Sequence, residues 1–121
     1  MATLTPVTIK GPFETIGANA ADFTWAAGSV STDNFACTGK EITLVHNTGG
    51  SPYTFTIVSV ADEKNRTKDE PYTLAAGEYA VFGQGLTIKQ GWRQGGGTII
   101  TDVENAAVEI AILTLPADAL R

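Results

Sequence analysis

The feature that most constrains this chain is its rhythm of glycine and proline turn signals, with only short runs of residues between them. Turns spaced about 8–12 residues apart are typical of β-sandwiches and β-barrels. The runs between them alternate apolar and polar residues, which is the period of a β-strand and not of a helix. The spacing therefore predicts an all-β fold, an antiparallel β-sandwich or a β-barrel of about 8–9 short strands.

Eight runs carry the strand pattern. They are Thr5–Ile9, Asp22–Ala26, Glu41–Asn47, Tyr53–Val60, Glu78–Phe82, Leu86–Lys89, Thr98–Asp102 and Ala107–Leu115. In the third run we expect Ile42 and Leu44 to point inward and Thr43 outward, because apolar side chains gain most from burial. In the last run Val108, Ile110 and Ile112 share one face, and Pro116 then ends the pairing because proline has no N–H to donate.

Length and charge narrow the classes of function. With 121 residues, the chain suits a single domain spanning 1–121. Its net charge is −5, and no basic stripe is visible, so we expect no direct nucleic acid partner and no anionic membrane surface as a partner. The beginning of the chain lacks a basic segment followed by an apolar run, and no stretch is long enough to span a membrane. We therefore expect a soluble protein made in a cytoplasm.

The residues that carry most enzyme chemistry are scarce. The chain has one histidine and one cysteine. His46 follows the alternation of its strand, which indicates a core or interface residue and not a general base, and Cys37 fits a small buried apolar group better than a reactive thiol. Gly95–Thr98 lacks the lysine of a phosphate-binding loop, so a hairpin loop is the better interpretation. We predict no catalytic residues, no cofactor and no metal site, and hence no enzyme.

A charged segment interrupts the strand rhythm at residues 61–71. It is a solvated loop between strands or a contact loop whose mixed charges fix the register of a partner protein. Under the second interpretation, five of its residues are candidate contacts: Asp62, Glu63, Lys64, Arg66 and Lys68.

Two other elements are candidates for contact with a partner. Residues 1–6 form an uncharged, extended N-terminal arm, whose Thr3, Leu4 and Thr5 are free to fray or to add a strand to the sheet edge of a neighbour. Trp92 and Arg93 lie between glycines, where the tryptophan fits the core or a subunit interface better than a sugar ring. Residues 116–121 form a short C-terminal tail.

The order and spacing of several segments resemble those of small virion proteins of tailed bacteriophages. The stretches that carry the resemblance are Thr5–Pro12, Cys37–Gly49, Ser59–Asp69, Ala76–Gly83, Gly91–Gln94 and Val108–Pro116. They cover most of the chain, and each consists of a strand with its turn.

The resemblance implies a head decoration or cement protein, which is a small β-sandwich or jelly roll without catalytic residues. It implies a location on the capsid exterior after assembly in the host cytoplasm, the major capsid protein as partner, and a homotrimer that bridges capsomers. The family's contact residues form no motif, so no individual residue is transferred. The alternative is a carbohydrate-binding or tail-associated adhesion module, for which Tyr53, Tyr72, Tyr79 and Trp92 offer stacking faces.

Overall fold

The computed structural model describes residues 2–9, 22–61, 64–86 and 91–115, and these form a β-sandwich of two five-stranded sheets, as the sequence predicts. The described strands are β1 (Ala2–Thr3), β2 (Val7–Thr8), β3 (Ala26–Ala27), β4 (Asp33–Ala36), β5 (Glu41–Asn47), β6 (Tyr53–Ile57), β7 (Glu70–Leu74), β8 (Tyr79–Phe82), β9 (Thr98–Val103) and β10 (Val108–Thr114). One short 3₁₀ helix, Gln84–Leu86, follows β8.

Most strands that follow each other in the chain belong to different sheets. Sheet A has the order β1-β4-β9-β6-β7, and sheet B has the order β2-β10-β5-β8, with β3 also paired to β10. The inner faces of both sheets bury one apolar core. Its largest fully buried apolar side chains are Phe35, Val45, Phe55, Ile57, Leu74, Ile99, Val108 and Ile110.

The strands β3 to β10 are nested from the outside inward. The first pairs with the last, β3 with β10, and then β4 pairs with β9, β5 with β8 and β6 with β7, all antiparallel. Eight strands folded over in this way form a jelly roll. The structure thus confirms the all-β sandwich that the turn spacing predicts, and its strand pairing is that of a jelly roll.

The N-terminal strands make both sheets mixed, where the sequence predicts an antiparallel fold. β1 runs parallel to β4 and β2 runs parallel to β10. Between them, the Leu4 N–H donates to the carbonyl of Asn34 at 2.7 Å, and the Leu4 side chain is buried in the core. The arm thus crosses from sheet A to sheet B of its own chain. Strand direction depends on where the chain enters each sheet, which an alternation pattern does not encode.

The prediction for the faces of β5 is wrong. Its buried residues are Glu41, Thr43, Val45 and Asn47, whereas Ile42 and Leu44 are half-buried on the outside of sheet B. The inward polar side chains are hydrogen-bonded, which offsets the cost of burying them. The carboxylate of Glu41, for example, accepts from the backbone N–H of Thr38 at 2.5 Å and from its hydroxyl at 2.6 Å.

Several boundaries differ from those predicted. Only Ala26 of the run 22–26 belongs to a strand, and β6 ends at Ile57 and not at Val60. Leu86 lies in the 3₁₀ helix, and residues 87–89 of that predicted strand lie outside the described residues. Glu70 and Pro71, the end of the predicted charged loop, begin β7. The predicted face of Val108, Ile110 and Ile112 is buried, in agreement with the sequence.

Candidate interaction surface

The arm residues Thr3, Leu4 and Thr5 lie beside the outer edge of β10. Thr3 and Thr5 are exposed, and Leu4 is buried. The three line a surface groove of about 250 Å³, together with Phe23 and Ala111 among others. Because Leu4 packs into the core of its own chain, only the two threonines of this predicted set present their side chains to a partner.

The charged loop and the tryptophan turn are brought together at one end of sheet A. Lys64, Arg66 and Lys68 are exposed, and Asp62 and Glu63 lie outside the described residues. The base of the loop is fixed by Ser59, whose N–H donates to Asp69 Oδ1 at 2.9 Å and whose Oγ accepts from the Lys68 N–H at 2.7 Å. The N–H of Val60 donates to the carbonyl of Gly91 at 2.8 Å, which connects the loop to the turn.

Trp92 and Arg93 do not form an exposed pair. Trp92 is half-buried and packs against the hydrophobic core. Arg93 is exposed, but its Nε donates to the carbonyl of Cys37 at 3.3 Å, so the guanidinium lies along the neighbouring loop. The tryptophan therefore contributes mainly to packing, and the arginine is the member of the pair that faces solvent.

An aromatic cluster that the sequence pattern does not predict lies on the outer face of sheet B. The rings of His46 and Tyr79 are stacked with centroids 3.8 Å apart and planes 5° from parallel. Trp25 lies 5.9 Å from His46 and 6.2 Å from Tyr79, and Phe23 meets Trp25 edge-on at 5.6 Å. His46 and Tyr79 are cross-strand partners, so the sheet itself sets the stack. The stack cannot be predicted without knowing that β5 pairs with β8.

Apolar residues continue this surface across three strands. Val81 of β8 lies opposite Leu44 of β5, which lies opposite Ala111 of β10. Val81 is 61% exposed and Tyr79 is 66% exposed, both high for large apolar or aromatic side chains. Ala111 itself is buried, so we call the outward-facing residues Leu44, His46, Tyr79 and Val81 the sheet-B face. An exposed apolar patch of this kind indicates a site of protein or ligand contact.

Groups that support metal or redox chemistry are not gathered in the described part of the chain. No three described histidine, cysteine, aspartate or glutamate side chains lie close enough together to hold a metal ion. Cys37 is buried, and its Sγ donates to the carbonyl of Gly85 at 3.7 Å. Among the described residues, no helix is long and apolar enough to cross a membrane.

Asp33 is the most unusual buried polar group. Its side chain is fully buried at the start of β4, where Oδ2 accepts from the Ser29 N–H at 2.8 Å and Oδ1 has no hydrogen-bond partner. Its cross-strand partner Thr101 is also fully buried, with a hydroxyl that likewise lacks a partner. Burial raises the pKa of Asp33, although the hydrogen bond from Ser29 opposes this effect.

We expect Asp33→Asn to stabilise the protein at pH 7. The raised pKa means that the folded state holds the proton of Asp33 more tightly than the unfolded chain, so its ionisation costs stability above the folded pKa. The amide removes that charge and keeps an oxygen to accept from the Ser29 N–H, a gain of about 1–3 kcal/mol. Urea unfolding of both proteins from pH 3.5 to 8 measures the difference in the free energy of unfolding, which should shrink as the pH falls. An equal difference at every pH would contradict the assignment.

Comparison of the chain with models of protein families finds no match. Comparisons with curated proteins and with solved structures likewise find no protein to which the chain is similar.

Proposed function

We propose that this protein is a capsid decoration, or cement, protein of a tailed bacteriophage, which binds the outside of the head and bridges capsomers of the major capsid protein. The observation that carries the proposal is a jelly roll whose sheet B exposes Tyr79 and Val81 on its outer face, beside the aromatic cluster. Jelly rolls are common in viral capsid proteins. The resemblance of the chain's segments to virion proteins supports the same function.

The sheet-B face suits contact with a protein. Its exposed residues, Tyr79 and Val81, sit on regular strands, so the backbone holds them in fixed positions. Aromatic residues are enriched in the desolvated centres of interfaces, and charged residues are depleted there. Binding to a flat shell would remove this apolar surface from water without requiring a cleft.

The charged end of sheet A complements that surface. Lys64, Arg66 and Lys68 are exposed close to Asp69 and Glu70, so both signs of charge alternate over a short distance. Mixed charges add little net attraction, but they select one orientation of the partner. In this proposal the apolar face provides binding energy and the loop provides register on the capsid.

Weak contacts between each copy and the capsid give tight binding when several copies are linked. The resemblance implies a homotrimer, and three linked copies bind a shell far more tightly than one copy does. The proposal therefore includes association of the chain into trimers on the capsid surface, and it predicts hundreds of copies per particle.

The test uses heads of the phage that encodes this chain, prepared without the protein. We expect the purified protein to bind the assembled heads, to ignore capsid-protein monomers, and to raise the temperature at which the heads release their DNA. Cryo-electron microscopy of the restored particles measures the copy number. The function would be excluded if heads without the protein are as heat-stable as complete heads and bind none of the protein when it is added.

Carbohydrate binding is the competing outcome of the same experiment. Four aromatic residues are predicted as possible stacking faces for a sugar. Of these, Trp92 and Tyr53 pack against the core, Tyr72 is partly exposed, and only Tyr79 is largely exposed. Tyr79 belongs to an aromatic cluster, which is the arrangement that stacks on sugar rings. Quenching of tryptophan fluorescence by host polysaccharide, with no uptake on heads, would favour an adhesion module instead.

A further inference from the structure

The outer edge of β8 forms no backbone hydrogen bond with any other described residue. On its inner side β8 pairs with β5, where Ala80 lies opposite Val45 and Phe82 opposite Thr43. The N–H of Asn47 donates to the carbonyl of Glu78 at 3.0 Å, so the even-numbered residues direct their backbone groups toward β5. By alternation, Tyr79 and Val81 direct their N–H and C=O groups outward. No described strand pairs with this side of β8.

The strand β8 itself lacks two of the features that normally protect an edge strand. Protective features are charged residues, proline and bulges, and the edge strand of the other sheet, β7, carries both Glu70 and Pro71. The residues of β8, Tyr79–Phe82, include no charge and no proline. An open, uncharged edge with exposed Tyr79 and Val81 is a template for another strand.

We propose that a second copy of this chain docks at this edge, so that two β8 strands pair antiparallel about a two-fold axis. In the register that we infer, Ala80 lies opposite Ala80 of the second copy, and Tyr79 lies opposite Val81 of the second copy. The outward groups of Tyr79 and Val81 then form four reciprocal backbone hydrogen bonds. On the outer face this register makes two pairs of an aromatic with a β-branched side chain, which are favourable cross-strand partners.

Charge does not oppose a second copy at this edge, although it opposes one elsewhere on the surface. Each chain carries a net charge of −5, so two copies repel wherever acidic surfaces meet. The β8 edge is uncharged, and the nearest acid, Glu78, is turned back, with Oε1 accepting from the N–H of Ala75 at 3.2 Å. Two copies therefore approach here without bringing like charges into contact.

The size of the contact sets its strength. Four residues per copy bury well below the roughly 800 Å² per partner of a stable interface. The pair is therefore weak in dilute solution, and it forms readily at high local concentration. The contact uses a two-fold axis, so it is distinct from any threefold contact. It does not depend on the capsid function, although copies crowded on a shell would be linked by it.

A disulfide at the two-fold axis tests the register. Opposed residues of a non-hydrogen-bonded antiparallel pair lie about 4.5 Å apart at Cα, within the range of a disulfide. We expect Ala80→Cys to form a covalent dimer under mild oxidation, seen on a denaturing gel whether the native assembly is a monomer or a trimer. Ala27→Cys is the control, because Ala27 lies in a strand at the opposite edge of sheet B and is more exposed than the half-buried Ala80, so random collisions would cross-link it at least as readily. Equal cross-linking of the two variants would overturn the register.

Reversible association tests the edge itself. We expect sedimentation of the wild-type chain to show two-fold association that rises with concentration, and Val81→Lys to weaken it at least about tenfold, since lysine protects edge strands. Val30→Lys is the control, because Val30 is 65% exposed in a turn far from β8. An assembly that Val81→Lys leaves unchanged overturns the proposal. A second result would also overturn it. If the wild-type chain does not associate at any concentration, and Val81→Lys abolishes binding to heads, then the edge binds the capsid protein and not a second copy.

Discussion

Asn47→Asp is expected to lower the free energy of unfolding by about 3–5 kcal/mol at pH 7, the range for an uncompensated buried charge. Asn47 is fully buried at the end of β5. Its Nδ2 donates to the carbonyls of Ser51, Leu74 and Ala75 at 2.8, 3.1 and 3.3 Å, and its Oδ1 accepts from the Gly49 N–H at 2.9 Å. The amide thus joins β5 to the turn before β6 and to the end of β7.

An aspartate at this position turns a carboxylate oxygen toward three carbonyl oxygens. Burial and this repulsion would raise the pKa of the new carboxyl group, so the folded variant binds its proton more tightly than the unfolded chain. The stability of the variant should therefore rise as the pH falls, since a protonated carboxyl group donates one hydrogen bond. Urea unfolding at pH 7 and pH 4 measures both effects.

Asn105→Asp is the matched control for this change. The side chain of Asn105 is half-buried, and its Oδ1 accepts from the N–H of Ala107 at 2.9 Å, a role that a carboxylate also fulfils. We expect a change within about 0.5 kcal/mol. A similar loss of stability in both variants would mean that added negative charge, and not the lost donor at Asn47, is responsible.

Gly85→Ala is expected to cost about 2–3 kcal/mol, toward the upper end of the usual effect of overpacking. A Cβ atom at Gly85 would lie 2.6 Å from the carbonyl oxygen and 2.7 Å from the Cβ of Glu41. Both atoms belong to a buried strand residue whose carboxylate is held by Thr38, so the strand cannot move aside freely. The 3₁₀ helix at Gln84–Leu86 would have to lift from the end of β5.

Gly95→Ala provides the comparison for Gly85→Ala. No atom lies within 4 Å of a Cβ built at Gly95, so we expect a change within about 0.5 kcal/mol. Thermal and urea unfolding of the two variants measure the difference. Cys37 offers a local probe, because its Sγ contacts the carbonyl of Gly85 and should react faster with a thiol reagent when the helix lifts. Equal stability of the two variants would show that the space between Gly85 and Glu41 can accommodate a methyl group.

The sequence predicted the strands whose apolar residues alternate without interruption. The run 41–47 coincides with β5, the run 98–102 ends one residue before β9 does, and the run 107–115 extends one residue beyond β10 at each end. β4 and β7 were missed, because Asp33 and Asn34 in one and Glu70 and Pro71 in the other are residues disfavoured in strands. Pairing with long neighbouring strands outweighs that local preference.

The candidate surface was less accessible to sequence reasoning than the fold class. Its aromatic stack depends on His46 of β5 lying opposite Tyr79 of β8, which is a contact between segments far apart in the chain. The inward side of β5 carries Glu41, Thr43 and Asn47, so its more apolar face is the outer one. An inference from apolarity alone therefore assigns the two faces in reverse. Leu4, by contrast, is predicted to be a contact residue, because nothing in the sequence of residues 1–6 indicates that the arm crosses its own sandwich.

The parallel pairing of the arm has a consequence for attaching labels and fusion partners. The N–H of Ile9 donates to the carbonyl of Thr114 at 2.8 Å, so the early and late parts of the described chain meet along the outer edge of β10. β8 lies at the opposite edge of the same sheet, with β10 and β5 in between. A fluorophore placed at Thr8 or Leu115 therefore sits across the full width of sheet B from Tyr79 and Val81, where it reports on the molecule without obstructing that edge.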